Sequence, residues 1–183
     1  MRIAPQEIIT ATARLRRLSE ADFPGFARMN ADPDVMRYFP RPWTAEESRA
    51  AFDEVNAEFG ERGFGVYALE ADGQFAGVVG LSVPSFQSWF TPCVDILWRL
   101  QPEFWGRGLA SEAAAAVLKM AADSLLLEKV FAFAVAQNRG SIRVMEKIGM
   151  TACDPPRFDH PGVEDPKLRQ HVLYSVRLLP AVP

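Results

Sequence analysis

The sequence first suggests a site for a charged ligand, in residues 95–112, DILWRLQPEFWGRGLASE. Here an apolar run leads through two glycines into a helical pattern. Gly106 and Gly108 allow positive φ angles and let a ligand approach the backbone closely. The first turn of the helix carries N–H groups without intrahelical acceptors and the positive end of the helix dipole. This layout predicts a phosphate or pyrophosphate site. It is not a Walker loop, because no lysine follows the glycines, and GRGLAS departs from the GxGxxG dinucleotide pattern.

Two carboxylates in this segment are candidates for acid–base chemistry. Asp95 stands in the apolar run, where a carboxylate must be paired or have a raised pKa, and a raised pKa suits a general base. The alternative for Asp95 is a strand-end carboxylate that is hydrogen-bonded to a neighbouring group. Glu112 falls in the first helical turn, where it favours the helix dipole and is a weaker catalytic candidate.

Two stretches of the sequence carry a resemblance to a known family. WGRGLASEA, residues 105–113, resembles the acyl-CoA pyrophosphate loop of the GNAT acetyltransferase superfamily, and most closely that of its RimJ/RimL-like ribosomal-protein N-acetyltransferase branch. Gly108 and Ala110 fill two positions of the usual motif, and Trp105 replaces its leading Arg or Gln. VAQNRGSIRVMEKIGM, residues 135–150, is similar to a second segment of that branch. The likeness extends over roughly residues 12–178.

The resemblance implies acetyl-CoA as co-substrate and a set of residues that bind it. Backbone amides of residues 105–110 would hold the pyrophosphate, and residues 98–100 would meet the pantetheine arm. Asn138 and Ser141 fall on family positions, although Asn138 by its residue type alone is a helix cap. The predicted cofactor-binding residues are Trp98, Arg99, Leu100, Trp105, Gly106, Arg107, Gly108, Leu109, Ala110, Ser111, Asn138 and Ser141.

The resemblance also implies an enzyme, an N-acetyltransferase in which a primary amine attacks the acetyl thioester directly. Asp95 is then the predicted base, and Ser141 would bond or protonate the leaving sulfur. Tyr174 is the other candidate acid. Their structural alternatives are a helix-start hydroxyl for Ser141 and core packing for Tyr174. A different function for the same fold is a non-catalytic acyl-CoA-binding or interaction module.

The acceptor amine is left open between a protein or peptide N-terminal α-amine and a small-molecule amine. Three aromatic stretches, which the motifs constrain least, are expected to surround it. The predicted substrate residues are Phe39, Trp43, Phe86, Trp89 and His160.

Periodicity and capping signals indicate the elements that position these residues. They predict one strand, two helices, a hairpin, another strand, and then two rounds of helix and strand. Thr44 and Glu47 form a capping box, and the Asp72-Gly73 pair marks a hairpin turn. Residues 154–167, with four prolines and one glycine, are expected to form an irregular loop.

The expected fold is α/β (α+β), a single-domain GNAT fold over residues 1–183 with a core at about 12–178. Its central sheet is expected to be mixed and mostly antiparallel, with about six to seven strands and helices on both faces.

Composition narrows the possible classes of protein. A chain of 183 residues that is 49% hydrophobic can build its own core without a disulfide or metal. A sequence pI near 5.5 disfavours nucleic acid as a partner. No segment approaches the roughly 20 apolar residues of a membrane span. Two cysteines without a CxxC motif and two histidines predict no metal site, and the cysteines fit a cytoplasmic protein. A homodimer is expected only by analogy with the superfamily.

Overall fold

The computed structural model describes residues 2–178, which form eight strands, five α-helices and two short 3₁₀ helices. The strands are β1 (Glu7–Ile9), β2 (Arg14–Arg16), β3 (Val66–Ala71), β4 (Gln74–Ser82), β5 (Asp95–Leu100), β6 (Lys129–Val135), β7 (Thr151–Asp159) and β8 (Gln170–Arg177). The helices are α1 (Phe23–Ala31), α2 (Ala45–Arg62), α3 (Leu109–Asp123), α4 (Arg139–Lys147) and α5 (Pro166–Arg169). The two ends of the predicted domain, Met1 and residues 179–183, lie outside the described residues.

All eight strands belong to one sheet, in the order β1-β2-β3-β4-β5-β6-β8-β7. Neighbouring strands are antiparallel except for β5 and β6, which are parallel. The predicted fold class, a mixed and mostly antiparallel sheet, is therefore confirmed. The sheet has two more strands than the six that the patterns predict, because β1 and β7 were not expected.

The prediction of an irregular loop at residues 154–167 was wrong over its first part. Strand β7 continues to Asp159 and pairs with β8, with a register shift between Ala152 and Arg157. Prolines are tolerated there because β7 is the edge strand of the sheet, and the register shift takes up the break in the ladder.

Helices cover both faces of the sheet, as expected. Val66 and Val78 point to the face that packs against α1 and α2. Tyr67 and Val79 alternate with them and point to the opposite face, where Val117 of α3 is fully buried. The two faces thus have separate apolar cores.

The local signals for the helix and hairpin are confirmed. Thr44 Oγ1 accepts a hydrogen bond from the Glu47 N–H at 3.2 Å, and the Glu47 carboxylate accepts one from the Thr44 N–H at 2.8 Å. Asp72 and Gly73 both have positive φ angles, 53° and 72°, between β3 and β4. None of the helices within residues 2–178 is long and apolar enough to cross a membrane.

The parallel pair β5–β6 is the feature that creates a site. Strand β5 forms six residue pairs with β4, but it pairs with β6 only at Asp95 and Phe131. The rest of the two strands therefore forms a gap in the sheet. Helix α3 follows β5 and helix α4 follows β6, so the N-termini of both helices lie beside this gap.

Candidate active site

A cavity of about 470 Å³ lies at the gap between β5 and β6. Its walls come from the segment after α1, the end of β5, the glycine loop, the first turn of α3 and one face of α4. Distant parts of the chain therefore meet at one place, and the sheet topology brings them there.

The glycine loop forms one wall of the cavity. Gly106 and Gly108 have φ angles of +73° and +82°, which favour glycine, and Gly108 is the N-cap of α3. A Cβ atom at either position would meet no atom within 4 Å, so both glycines face open space. The Trp105 indole N–H donates to the Leu100 carbonyl at 2.8 Å and fastens the loop to the end of β5. This open, N–H-rich cradle fits a pyrophosphate group.

The first turn of α4 forms a second wall. Asn138 caps the helix, and its Oδ1 accepts a hydrogen bond from the Ser141 N–H at 3.1 Å. Asn138 and Ser141 also line the cavity, together with Gly140. Asn138 can therefore cap the helix and face a ligand at the same time. The N-termini of α3 and α4 both open onto this cavity.

All of the predicted cofactor-binding residues line this cavity except Arg107. The Arg107 guanidinium instead forms an ion pair with Asp72 at 2.8 Å, in the β3–β4 turn. The side chain of Arg107 turns toward this opposite charge, so that only its backbone remains in the glycine loop.

The sequence patterns missed several cavity residues. Arg143 and Lys147 are exposed cations on α4 that line the cavity, as does Arg37 after α1. The sequence did contain a signal for the α4 residues. Gly140, Arg143 and Lys147 recur at helical spacing and so share one face of the helix. That face lies opposite the buried Ile142 and Met145.

Asp95 is not among the residues that line the cavity. It is buried, 6% exposed, and lies three positions before Trp98, which is about 10 Å along the strand. Its Oδ1 atom has no hydrogen-bond partner within residues 2–178. Burial, and then the charge of Glu58, raise the pKa of Asp95 to about 7. Asp95 therefore has the pKa of a general base, but its carboxyl group does not line the cavity.

Glu58 is the acidic neighbour of Asp95. The Ser82 hydroxyl donates to Glu58 Oε1 at 3.2 Å, and Ser82 is the residue of β4 that pairs with Asp95. Burial raises the pKa of Glu58 as well. The carboxyl groups of Asp95 and Glu58 thus lie close together in a poorly solvated region at the start of β5.

The two candidate acids are placed differently. Ser141 lines the cavity, whereas Tyr174 does not. The Tyr174 hydroxyl lies 3.5 Å from Glu146 Oε1, on the flank of α4. Burial is the main cause that raises the pKa of Tyr174, with a further contribution from the Glu146 charge. Of the two residues, the structure brings only Ser141 to the cavity.

The predicted substrate residues fall into two groups. Phe39 lines the cavity, and Trp43 packs against it edge to face with ring centroids 6.1 Å apart. Phe86 and His160 lie in a separate aromatic cluster, with centroids 4.4 Å apart, and Trp89 contacts Phe90 of that cluster and is 55% exposed. The loop before β5 and the loop after β7 therefore pack on each other, and these three residues do not line the cavity.

The chain was also compared with known proteins. The model of the acetyltransferase (GNAT) domain matches residues 13–151. The FsC-acetyl coenzyme A-N(2)-transacetylase of Aspergillus fumigatus is 30% identical over 156 residues, which is 79% of this chain and 66% of that protein. This chain therefore spans just under two thirds of that relative.

Solved structures show the same fold at lower identity. An acetyltransferase of Agrobacterium tumefaciens has a TM-score of 0.76 and 24% identity, with 97% of each chain covered. RimJ of Mycobacterium smegmatis, solved in complex with a CoA-disulfide, has a TM-score of 0.71 and 17% identity, with 95% of this chain and 86% of RimJ covered. Since the family model matches most of the sequence, the chain belongs to the GNAT family of acetyl-CoA-dependent acetyltransferases, as its two motifs predict.

Proposed function

We propose that the protein transfers an acetyl group from acetyl-CoA to a primary amine. The observation that carries the proposal is the cavity at the β5–β6 gap, onto which the glycine loop and two helix N-termini open. A pyrophosphate with its attached chain suits this arrangement, because several backbone N–H groups converge there.

The residues that would hold acetyl-CoA are those of the glycine loop, the first turn of α3 and the cavity face of α4. The first-turn N–H groups of Leu109, Ala110 and Ser111 have no acceptors within α3 and are free to bind phosphate oxygens. Arg143 and Lys147 add exposed positive charge on α4. When bound, acetyl-CoA supplies an acetyl group activated as a thioester.

Three groups of this chain would take part in the acetyl transfer. Backbone N–H groups at the unpaired edge of β5 would stabilise the negative charge that develops on the acetyl oxygen. The Ser141 hydroxyl would donate a hydrogen bond to the departing sulfur, which leaves as a thiolate. Asp95 would receive the amine proton through water, since its carboxyl lies outside the cavity.

A pair of glycine variants tests the cofactor site. Gly108→Glu should abolish the protection against heating that acetyl-CoA gives. The new side chain would occupy the pyrophosphate-binding site, and its carboxylate would repel the phosphate groups. Gly149→Glu is the matched control, with a φ angle of +83° against +82° and equally open space around its Cβ. Differential scanning fluorimetry with a titration of acetyl-CoA should show more than about a 100-fold weaker affinity in Gly108→Glu alone. Equal affinity in the two variants would overturn the site.

Turnover is tested by release of free thiol from acetyl-CoA with a panel of amines that includes N-terminal peptides, amino acids, polyamines and aminoglycosides. Transfer to any amine supports the proposal. Binding of acetyl-CoA without thiol release from any amine would instead identify the non-catalytic acyl-CoA-binding module.

A further inference from the structure

Arg99 carries a positive charge for which residues 2–178 supply no ion-pair partner. It lies on β5, lines the cavity, and is only partly exposed. Its Nη1 donates to Asn30 Oδ1 at 2.5 Å, and its Nε and Nη2 donate to no group within the described residues. Burial lowers the pKa of Arg99 to about 10, so that the guanidinium is charged at neutral pH. An arginine in this setting normally has a carboxylate or phosphate partner.

The surroundings of Arg99 hold the guanidinium in place without neutralising it. Its Cζ lies 4.3 Å from the centroid of the Phe39 ring and 4.9 Å from that of Trp43. Asn30, which is fully buried on α1, accepts from Arg99 but has no acceptor for its own Nδ2 within residues 2–178. Two aromatic rings and one amide thus hold the guanidinium in place, with its Nε and Nη2 donors unused by residues 2–178.

The side chain of Arg99 lies on the face of the sheet away from the glycine loop. Trp98 and Leu100 pack on the face that carries α3, whereas Arg99 contacts α1 on the other face. The phosphate-binding groups at the start of α3 and the Arg99 guanidinium therefore enter the cavity from opposite sides of β5. This separation assigns Arg99 to the second substrate, because acetyl-CoA has its own anion site.

We propose that Arg99 binds a carboxylate of the acceptor, so that the acceptor is a small amine that also carries a carboxylate, such as a free amino acid. This inference rests on the proposed acetyl transfer and narrows its acceptor class. A guanidinium binds a carboxylate through two parallel hydrogen bonds. In Arg99, Nε and Nη2 are available to donate them. A protein N-terminus is disfavoured, because its first residue has an amide where an amino acid has a carboxylate.

The test compares acceptors that differ only in the carboxylate. Turnover is measured by thiol release with the twenty amino acids, and the best acceptor is then compared with its C-amide in the wild type and in Arg99→Gln. In the wild type the acid should have the higher kcat/KM. Arg99→Gln should reduce the acid-to-amide ratio about 10- to 100-fold, mainly through KM, because a charge-assisted hydrogen-bonded pair is lost. Arg99→Lys, which keeps the charge but not the fork, should fall between them.

Arg14→Gln is the control for removing one positive charge, because Arg14 is exposed on β2 and pairs with Glu7 away from the cavity. It should leave the acid-to-amide ratio unchanged. A second readout needs no turnover: the best-bound amino acid should raise the melting temperature of the CoA-loaded wild type but not of CoA-loaded Arg99→Gln.

The outcomes distinguish failure of this inference alone from failure of the proposed function. Loss of acetyl-CoA protection in Arg99→Gln would overturn the inference, because Arg99 would then bind the cofactor. Equal or better turnover of amides and N-terminal peptides would also overturn it, while acetyl transfer itself would stand. If no amine is acetylated and no amino acid stabilises the CoA-loaded protein, both fail together.

Discussion

Asp95, which is buried, and Arg99, which is partly exposed, are ionisable groups on the same face of β5, four positions apart, and their surroundings differ. Asp95 lies beside Glu58, which adds repulsion to the cost of burial and favours the neutral acid. Arg99 lies between aromatic rings, which tolerate a cation but do not neutralise it. The first group is therefore suited to exchanging a proton near neutral pH, and the second to attracting an anion.

Asp95 makes stability depend on pH in a defined direction. Because its pKa is raised from 3.8 to about 7, the folded state binds this proton more tightly than the unfolded chain does. Stability is therefore lost as the pH rises from about 4 through about 7. Asp95→Asn removes this loss, so the variant should gain stability relative to the wild type between pH 5 and pH 8, by about 3 kcal/mol. Urea unfolding at the two pH values measures the difference.

Glu61→Gln, at an exposed position of α2, is the control and should leave the pH dependence as it is. Parallel stability profiles for wild type and Asp95→Asn would contradict the raised pKa. The same variant also tests the proposed base. If Asp95 accepts the amine proton, the rise of turnover with pH near 7 should disappear in Asp95→Asn, whereas a purely structural carboxyl leaves that rise in place.

At the scale of elements, the site depends on how closely β5 lies to β4. A Cβ on Gly77 would stand 2.2 Å from the Arg99 carbonyl oxygen and 2.7 Å from the Leu100 Cα. Both contacts are with backbone atoms, which cannot relieve a clash by a change of rotamer as a flexible side chain can. Gly77 therefore permits the close strand pairing that positions residues 98–100 at the cavity.

Gly77→Ala should consequently displace β5. We expect a loss of about 1–3 kcal/mol in the free energy of unfolding and a weaker affinity for acetyl-CoA, measured by urea unfolding and by thermal protection. Gly60→Ala is the matched control, because its Cβ on α2 would meet nothing within 4 Å and alanine favours a helix. A wild-type affinity in Gly77→Ala would show that β5 does not need this close contact.

At the scale of the whole molecule, the sheet consists of two parts joined by few backbone contacts. Strands β1–β5 and strands β6–β8 meet through the single pair Asp95–Phe131, supplemented by packing of α3 and α4 on the sheet. A ligand in the gap would touch both parts, since the cavity is lined from β5 and from α4. Ligand binding is therefore expected to stabilise the junction.

Hydrogen exchange tests this expectation. Acetyl-CoA at about 100 times its Kd should slow hydrogen exchange at N–H groups of β6 and of the first turn of α4. The slowing should reach about 100-fold for N–H groups that exchange only when the two parts of the sheet separate and the ligand is released. The short edge strand β1 does not line the cavity, so its exchange should not change. Equal slowing throughout the molecule would contradict a weak junction between the two parts.

Local signals in the sequence predicted much of the fold and the cofactor cavity, because they act over a few residues. The capping box at Thr44, the Asp72-Gly73 turn and the glycine loop each express a backbone preference that a short window contains. The same windows misjudged residues 154–159, since prolines that usually break a strand are accepted at a sheet edge. The predicted homodimer, cytoplasmic location and domain limits stay predictions.

The sequence by itself therefore determined the family, the order of most elements and nearly all of the residues around the glycine loop. Only the tertiary structure decided which distant side chains meet. Arg99 and Asn30 are 69 positions apart, and Phe86 and His160 come from separate loops. Such contacts depend on strand register and on the packing of α1 against the sheet, which no local pattern encodes. For that reason only the folded chain shows that Arg99 has no ion-pair partner within residues 2–178, which is the basis for the inferred carboxylate of the acceptor.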